Sequence, residues 1–268
     1  MTPNFQKIPF VRHREVLGAW ASAHVHIIPR ILRPAVFRGL YGFEQTAYDT
    51  LIPLGSSCFT AGVLREDGHR KFSLPLDWVA NGDLFVRFDF LKTRFADFFH
   101  PERMVIRVDR INHAKQRTVE ATDPHIDFAF PHDFVANENG DVDTEAPRRK
   151  YERRIARLYE EARGKRCLLI FVGWKENPLH SDAVRERLAA EVLEAGRVLE
   201  TAKLDLLLLC ADASTPAEEV LTVIPADEHR IYVVNTPAEL SADLGDKGEG
   251  LKRWFRRALR TLCECNKM

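Results

Sequence analysis

The stretch that decides the fold reads CLLIFV at residues 167–172, and it is followed by a helical pattern at 182–202 and by LDLLLL at 204–209. Continuous apolar runs of this length are typical of parallel strands that are buried on both faces. A third run follows at 231–234, and a strongly amphipathic helical pattern covers 251–262. This order of strands and helices predicts an α/β fold: a three-layer, mostly parallel, Rossmann-like sheet with helices on both faces.

The chain upstream of residue 167 continues the alternation of apolar runs and helical patterns. Residues 50–54 form a short apolar run that ends at Gly55, and residues 57–66 have a helical pattern. An aromatic-rich helix is predicted over 83–99, because apolar residues recur there at steps of four and three: Leu84, Phe88, Leu91, Phe95 and Phe98. Candidate strands follow at 104–108 and 126–130, and then a helix with a basic face at 148–157.

The domain organisation follows from the absence of a clear linker or internal repeat. We predict a single α/β domain over residues 49–268, with a motif-bearing half at 49–134 and an α/β half at 148–268. Residues 1–48 precede it as a basic and apolar, helical N-terminal arm, which Pro29 and Pro34 break into short pieces. Two interpretations of residues 1–43 stay open. The segment packs on the surface of its own domain, or it makes a peripheral contact with an anionic membrane.

Composition excludes several classes of function. The 39 Lys and Arg residues balance 39 Asp and Glu residues, so we expect no nucleic-acid partner. No run of about 18 apolar residues exists to span a membrane. Five cysteines without a paired framework and without a signal peptide predict a cytoplasmic protein. No cluster of ligands with metal-site spacing is present, so no metal is expected.

The sharpest local feature is the LGSSC turn, residues 54–58, between a predicted strand and a predicted helix. Gly55 permits a tight turn, and Ser56 or Ser57 can cap the helix. Cys58 would then lie in the first helical turn, where free N–H groups favour a thiolate and can hold an oxyanion. The alternative is that Cys58 is a small buried apolar residue, as most cysteines are.

A candidate general base follows the predicted strand at 126–130. His132 lies at the start of the HDF turn, residues 132–134, and a histidine at a strand end is well placed to move a proton. We do not expect Asp133 to orient its neighbour directly, because adjacent side chains on an extended segment point apart; an aspartate from elsewhere, such as Asp77, could do so. His180, which follows the strand at 167–172, is the rival base.

The RKFSLPLDW segment, residues 70–78, pairs a charge with a large apolar ring at Asp77 and Trp78. Two interpretations stay open, a wall of a substrate site and a buried aspartate that binds backbone. Together with the LGSSC turn, this segment supplies the candidate residues for binding substrate or an oxyanion, which are Gly55, Ser56, Ser57, Ser73 and Trp78.

These three motifs, in this order, resemble a family known as "putative papain-like cysteine peptidases", formerly a domain of unknown function. That family has an LGS-x-C turn, an S-x-P-[FL]-D-W stretch and a later HDF, and the resemblance covers residues 51–134. It implies Cys58 as nucleophile and His132 as base, with Asp133 or Asp77 as the group that orients the base. The papain signature C-G-[SA]-C-[WY] is absent, and a nucleophile between strand and helix is more similar to esterases and acyltransferases.

The leading hypothesis is therefore an enzyme of cysteine-dependent acyl transfer, either a hydrolase or peptidase or an acyltransferase of polysaccharide biosynthesis. Its substrate would be a small molecule, a peptide or a glycan, and it would require no cofactor. A transferase would use acyl-CoA or a nucleotide-activated donor. Two alternatives stay open: a glycan-modifying transferase with a nucleotide-activated donor, and a non-catalytic module that binds polyanions or membranes through basic faces at 148–157 and 252–260. The oligomeric state is not predicted.

Overall fold

A computed structural model describes residues 6–9, 46–55, 57–111, 117–137, 139–174, 181–210, 220–235 and 249–263. The chain divides into two compact units. The motif unit comprises Thr50–Val172 and Glu191–Leu204, and the C-terminal unit comprises Met1–Asp49, Gly173–Ala190 and Asp205–Met268. The prediction of a single domain over 49–268 stays a prediction.

A parallel strand pair forms the core of the motif unit. Strand β2 (Thr50–Pro53) pairs in parallel with β6 (Arg166–Trp174), with Thr50 opposite Cys167. The predicted strand at 167–172 lies within β6, and its residues are at most 3% exposed. Helix α1 (Phe59–Glu66) follows β2 after the LGSSC turn and buries Ala61 and Leu64, as predicted.

The aromatic helix is shorter than the sequence pattern predicts. Helix α2 spans Leu84–Lys92, because Arg94 and Phe95 take left-handed conformations with φ of 56° and 59°. The predicted continuation to residue 99 is therefore wrong. Phe95 and Phe98 are nevertheless buried, and both rings contact the ring of Phe90. The spacing of the phenylalanines therefore predicts correctly which of them are buried, although only residues 84–92 of the predicted segment are helical.

A second, three-stranded antiparallel sheet belongs to the motif unit. Its strands are β3 (Val105–Ile111), β4 (Arg117–Asp123) and β5 (Phe128–Phe130), in that order. The sequence pattern does not predict β4, because its alternating buried positions carry only Val119, Ala121 and Asp123. Helix α3 (Glu145–Ala162) follows and begins after a turn at residues 139–144.

The C-terminal unit combines parallel and antiparallel strands. Helix α4 (Asp182–Val198) and strand β7 (Lys203–Cys210) contribute residues to both units. Strands β8 (Val220–Ala226), β9 (His229–Asn235) and β1 (Gln6–Pro9) continue from β7 in the order β7-β9-β8-β1. Strand β9 is parallel to β7, whereas β8 is antiparallel to both β9 and β1.

The last helix, α5 (Glu249–Leu262), buries the apolar face that the sequence predicts, from Leu251 to Leu262. The predicted α/β fold class is confirmed by this alternation of buried strands with helices and by the parallel pairs. The N-terminal arm is predicted to be helical, which is wrong for Gln6–Pro9, since these residues form strand β1; residues 10–45 lie outside the described part of the chain. No helix among the described residues is long and apolar enough to cross a membrane.

Candidate active site

The LGSSC turn is held against the backbone of the RKFSLPLDW segment. The amide of Leu54 extends the β2–β6 pairing by donating to the carbonyl of Ile170 at 2.8 Å. Gly55 has φ of +89°, and a Cβ atom added there would lie 2.8 Å from the Leu76 carbonyl oxygen and 3.0 Å from that of Val79. A side chain at this position would therefore push the two segments apart, and only glycine permits the approach.

Cys58 lies at the start of α1 with its thiol exposed. It is the N-cap residue of the helix, and its carbonyl accepts a hydrogen bond from the Gly62 amide at 2.9 Å. The N-cap is therefore Cys58 and not a serine, and no side chain caps the helix. Ser57, one residue earlier, accepts a hydrogen bond from the Phe59 amide at 3.3 Å, and Ser56 lies outside the described residues. The three other cysteines described as free thiols, Cys167, Cys210 and Cys263, are buried. The interpretation of Cys58 as a buried apolar residue is therefore wrong.

Arg87, which belongs to none of the three motifs, fixes the start of this turn. Its side chain is fully buried in α2, and its Nε donates to the carbonyl of Leu54. Its two other nitrogens donate to the carbonyls of Asn81 and, at 3.1 Å, Asp83. Burial lowers the pKa of Arg87 to about 9, so the group is still charged at neutral pH. The sequence does carry a signal for this residue, since Arg87 is a charged residue at helical spacing on the apolar face of Leu84 and Leu91.

Asp77 is a buried residue that organises its own segment. Its carboxylate pairs with the guanidinium of Arg70 and accepts from the Leu74 amide at 2.8 Å. Arg70 also donates to the hydroxyl of Ser73 at 2.6 Å. Burial raises the pKa of Asp77, although the Arg70 charge and the Leu74 amide act in the opposite direction. These contacts match the interpretation of Asp77 as a buried aspartate that binds backbone.

Trp78 is the residue on which the motifs meet. Its ring and the imidazole of His132 form an edge-to-face pair, with centroids 5.7 Å apart and planes at 86°. The guanidinium groups of Arg65 and Arg70 lie 5.7 and 5.0 Å from the centroid of the Trp78 ring. Among the described residues no hydrogen bond joins Cys58 to His132. The structure brings His132 to Trp78, and it brings the turn before Cys58 to the backbone on either side of Trp78.

Asp133 is bound by helix α3 through both of its oxygen atoms. Tyr151 donates its hydroxyl to Oδ2, whereas Oδ1 lies 2.7 Å from the Lys150 ammonium and 3.5 Å from the Arg154 guanidinium. Burial alone would raise the pKa of Asp133, but hydrogen bonds from Lys150 and Tyr151 and the charge of Arg154 lower it overall. These contacts attach the residue next to His132 to the rigid surface of α3.

The predicted basic face of α3 is turned partly inward. Lys150 and Arg154 contact Asp133, and the side chain of Arg154 is only 7% exposed. Arg157 lies over the ring of Phe72 at 5.7 Å from its centroid, and its Nη1 is 3.5 Å from the Ser73 carbonyl oxygen. Arg148 pairs with Glu145 and Glu152 on the same helix. The predicted basic face at 148–157 is therefore not exposed throughout, because Arg154 is buried.

Two further observations bound the site. Within the described ranges there is no group of three or more His, Cys, Asp or Glu residues placed to hold a metal ion. A groove of about 710 Å³ is formed by α3 together with Arg94 and Phe95, and its lining includes none of the motif residues. His180, the rival base, lies outside the described residues.

Comparison with known proteins identifies a family. The sequence model of the family described as "Putative papain-like cysteine peptidase (DUF1796)" matches residues 49–205. The match includes all three motifs and extends the resemblance from residue 134 through α3, β6 and α4 into β7. No curated protein and no solved structure matches the chain.

Proposed function

Because the chain belongs to this family of papain-like cysteine peptidases, we propose that it is a cysteine-dependent acyl-transfer enzyme, with Cys58 as the nucleophile and His132 as the general base. We propose hydrolysis of a peptide or another acyl bond as its reaction. The sites named in this proposal lie within the motif unit and within residues 49–205.

The observation that carries the proposal is that the segment 76–79 contacts both motifs, the LGSSC turn through its backbone and His132 through the ring of Trp78. The backbone at Leu76 and Val79 touches Gly55, three residues before Cys58, and the Trp78 ring touches His132. A free thiol at a helix start and an exposed imidazole are thus linked through one short segment. An exposed cysteine at the N-cap of a helix lies at the positive end of the helix dipole, which favours a thiolate, whereas a buried cysteine of a strand lacks this field.

The proposed reaction follows from these positions. His132 accepts the proton of the Cys58 thiol, and the sulfur attacks the carbonyl carbon of the substrate. The backbone amides near Ser57 and Cys58 stabilise the resulting oxyanion. The bond to the leaving group then breaks, and the leaving group takes the proton from His132. Water, activated by the same imidazole, releases the acyl group from Cys58. Hydrogen bonds between base and nucleophile are often long without substrate and shorten in the complex.

Acyl transfer to a hydroxyl is the second candidate function. The nucleophile follows strand β2 and precedes helix α1, an arrangement similar to that of esterases and acyltransferases. With a glycan hydroxyl in place of water, the same acyl-cysteine would serve polysaccharide biosynthesis, and an acyl-CoA or another activated donor would load it. Mass spectrometry of the acyl product in water and in the presence of a glycan acceptor separates the two reactions.

The reactivity of Cys58 tests the proposal without a known substrate. We expect iodoacetamide to alkylate Cys58 near neutral pH about tenfold faster than it alkylates a free thiol of ordinary pKa. His132→Ala removes the base and is expected to lower this rate to that of the free thiol. His125→Ala is the matched control, because His125 is also an exposed histidine in a turn of the motif unit. An alkylation rate that is ordinary in the wild type and unchanged by His132→Ala would refute the proposed pair.

A further inference from the structure

Three arginines lie over the two aromatic rings of the RKFSLPLDW segment. Arg65 and Arg70 lie over Trp78, and Arg157 lies over Phe72. The set is contiguous, because Arg70 also binds the Ser73 hydroxyl and Arg157 approaches the Ser73 carbonyl oxygen. We call these three residues the arginine strip. It combines side chains from α1, from the segment itself and from α3.

Among the described residues, the strip has more guanidinium groups than carboxylate partners. Arg70 is paired with the carboxylate of Asp77. Within the described part of the chain, neither Arg65 nor Arg157 has a carboxylate oxygen within 4.0 Å. A guanidinium stacked on a ring touches it with one face, so its N–H groups stay available at the edge for an anion. Arg65 is exposed and Arg157 is half-buried, so solvent and a ligand can reach both.

One residue of the strip lies on the helix that begins at the candidate nucleophile. Arg65 follows Cys58 by seven residues, which places both on the same side of α1 with an axial separation of about 10 Å. Helical side chains lean toward the N-terminus, and this shortens the distance from the guanidinium to the start of the helix. The ring beneath Arg65 is also the ring that contacts His132.

We propose that the arginine strip recognises an anionic group of the substrate, so that the enzyme acts on acyl compounds carrying a carboxylate or a phosphate near the reactive carbonyl. This inference rests on the proposed role of Cys58. The shared chemistry is an oxyanion bound by planar guanidinium groups, which hold carboxylates and phosphates alike.

Two alkylating agents that differ in charge measure the preference of the site for an anion. Iodoacetate is anionic and iodoacetamide is neutral, and the ratio of their rates at Cys58 cancels the fraction of thiolate. A unit charge about 10 Å away changes the local concentration of an anion about twofold at low salt. We expect Arg65→Gln to lower the iodoacetate to iodoacetamide ratio about twofold, and the double variant that also carries Arg157→Gln to lower it further. Arg153→Gln, an exposed arginine of the same helix as Arg157, is the matched control and should leave the ratio unchanged.

Protection experiments distinguish binding of an anion to the arginine strip from a non-specific electrostatic attraction. Acetate and inorganic phosphate, added at matched ionic strength, should slow alkylation of the wild type by iodoacetate, and the stronger of the two identifies the anion. No protection by either would overturn the inference, as would a wild-type ratio equal to that of a free thiol. The proposed function fails separately, through slow alkylation by both reagents, because the absolute rate and the ratio are independent measurements.

Discussion

Asp77 and Asp133 are both buried, and each is next to one member of the Trp78–His132 pair, yet their surroundings differ. Asp77 pairs with one arginine from its own segment, and its Oδ1 atom has no hydrogen-bond partner among the described residues. Asp133 receives hydrogen bonds or charges on both oxygens from Lys150, Tyr151 and Arg154 of α3. Accordingly the pKa of Asp77 is raised by burial, whereas that of Asp133 is lowered.

The difference shows how two similar turns are stabilised by different means. The HDF turn is held to a helix of 18 residues by a hydrogen bond and ion pairs to the two oxygens of Asp133. The turn that carries Trp78 depends instead on close approach to Gly55 and on a local ion pair. We therefore expect the stability of the HDF turn to depend most on the charge of its aspartate. The stability of the turn that carries Trp78 should depend most on the absence of a side chain at Gly55.

The largest expected effect is that of Asp133→Asn. The substitution leaves the buried guanidinium of Arg154 without its carboxylate, and breaking a buried ion pair costs about 3 kcal/mol or more. Asp77→Asn should cost less, about 1–2 kcal/mol. It also leaves Arg70 without its carboxylate, but it removes a charge that burial disfavours, and an amide oxygen can still accept from Leu74. Urea denaturation at neutral pH measures both. Equal losses would mean that the two carboxylates have the same role.

A smaller effect is expected at the glycine of the LGSSC turn. Gly55→Ala adds a Cβ that meets two carbonyl oxygens at a left-handed φ, and we expect a loss of about 2–3 kcal/mol in the free energy of unfolding. Gly68→Ala is the matched control, since Gly68 also has a positive φ, of 73°, but has open space around its Cβ position. Its cost should be about 1 kcal/mol.

The Gly55 comparison has a second measurement, the alkylation rate of Cys58. A shifted turn moves the start of α1, so Gly55→Ala should also slow alkylation, whereas Gly68→Ala should not. Identical stabilities of the two variants would show that the approach to Leu76 and Val79 does not hold the turn.

The smallest effect is the pH dependence of stability, where the two aspartates should act with opposite sign. The pKa of Asp133 is lowered by folding, so its stabilisation is present above its ordinary pKa of 3.8 and is lost as the pH falls through the lowered value. The pKa of Asp77 is raised by folding, so the penalty of its charge applies above that raised value and disappears as the pH falls toward 3.8.

Urea midpoints of wild type, Asp133→Asn and Asp77→Asn, measured between pH 7 and pH 2, should separate these contributions. Asp133→Asn is expected to flatten the loss of stability at the acid end. Asp77→Asn is expected to remove the rise in stability that the wild type shows on mild acidification, when Asp77 becomes protonated. If the urea midpoints of both variants change with pH as that of the wild type does, the two aspartates do not cause the pH dependence.

Much of the fold can be predicted, because buried positions recur as regular apolar patterns in the sequence. Continuous and amphipathic apolar patterns predict strand β6 and helix α5, and the order of the three motifs is enough to indicate the family. The end of α2 at Lys92 cannot be predicted in this way, because left-handed conformations at Arg94 and Phe95 depend on where Phe95 is buried.

The polar contacts of the candidate site are less accessible to prediction. Arg87 reaches Leu54 across 33 positions, and Asp133 reaches Tyr151 across 18, so both depend on tertiary packing. The direction in which a long cationic side chain turns is not encoded by local spacing. This is why the pattern of α3 predicts a solvated position for Arg154, although its side chain is buried.

The bond from Arg87 to Leu54 also bears on the order in which the chain becomes reactive. A growing polypeptide contains Cys58 before α2 has been synthesised, and until Arg87 arrives the carbonyl at the start of the turn lacks its donor. In the proposed function the thiol becomes reactive only when later parts of the chain are also in place, because the base His132 and the carbonyl of Ile170 that holds Leu54 follow α2 in the sequence. The proposed activity therefore requires the folded motif unit and not the LGSSC turn alone.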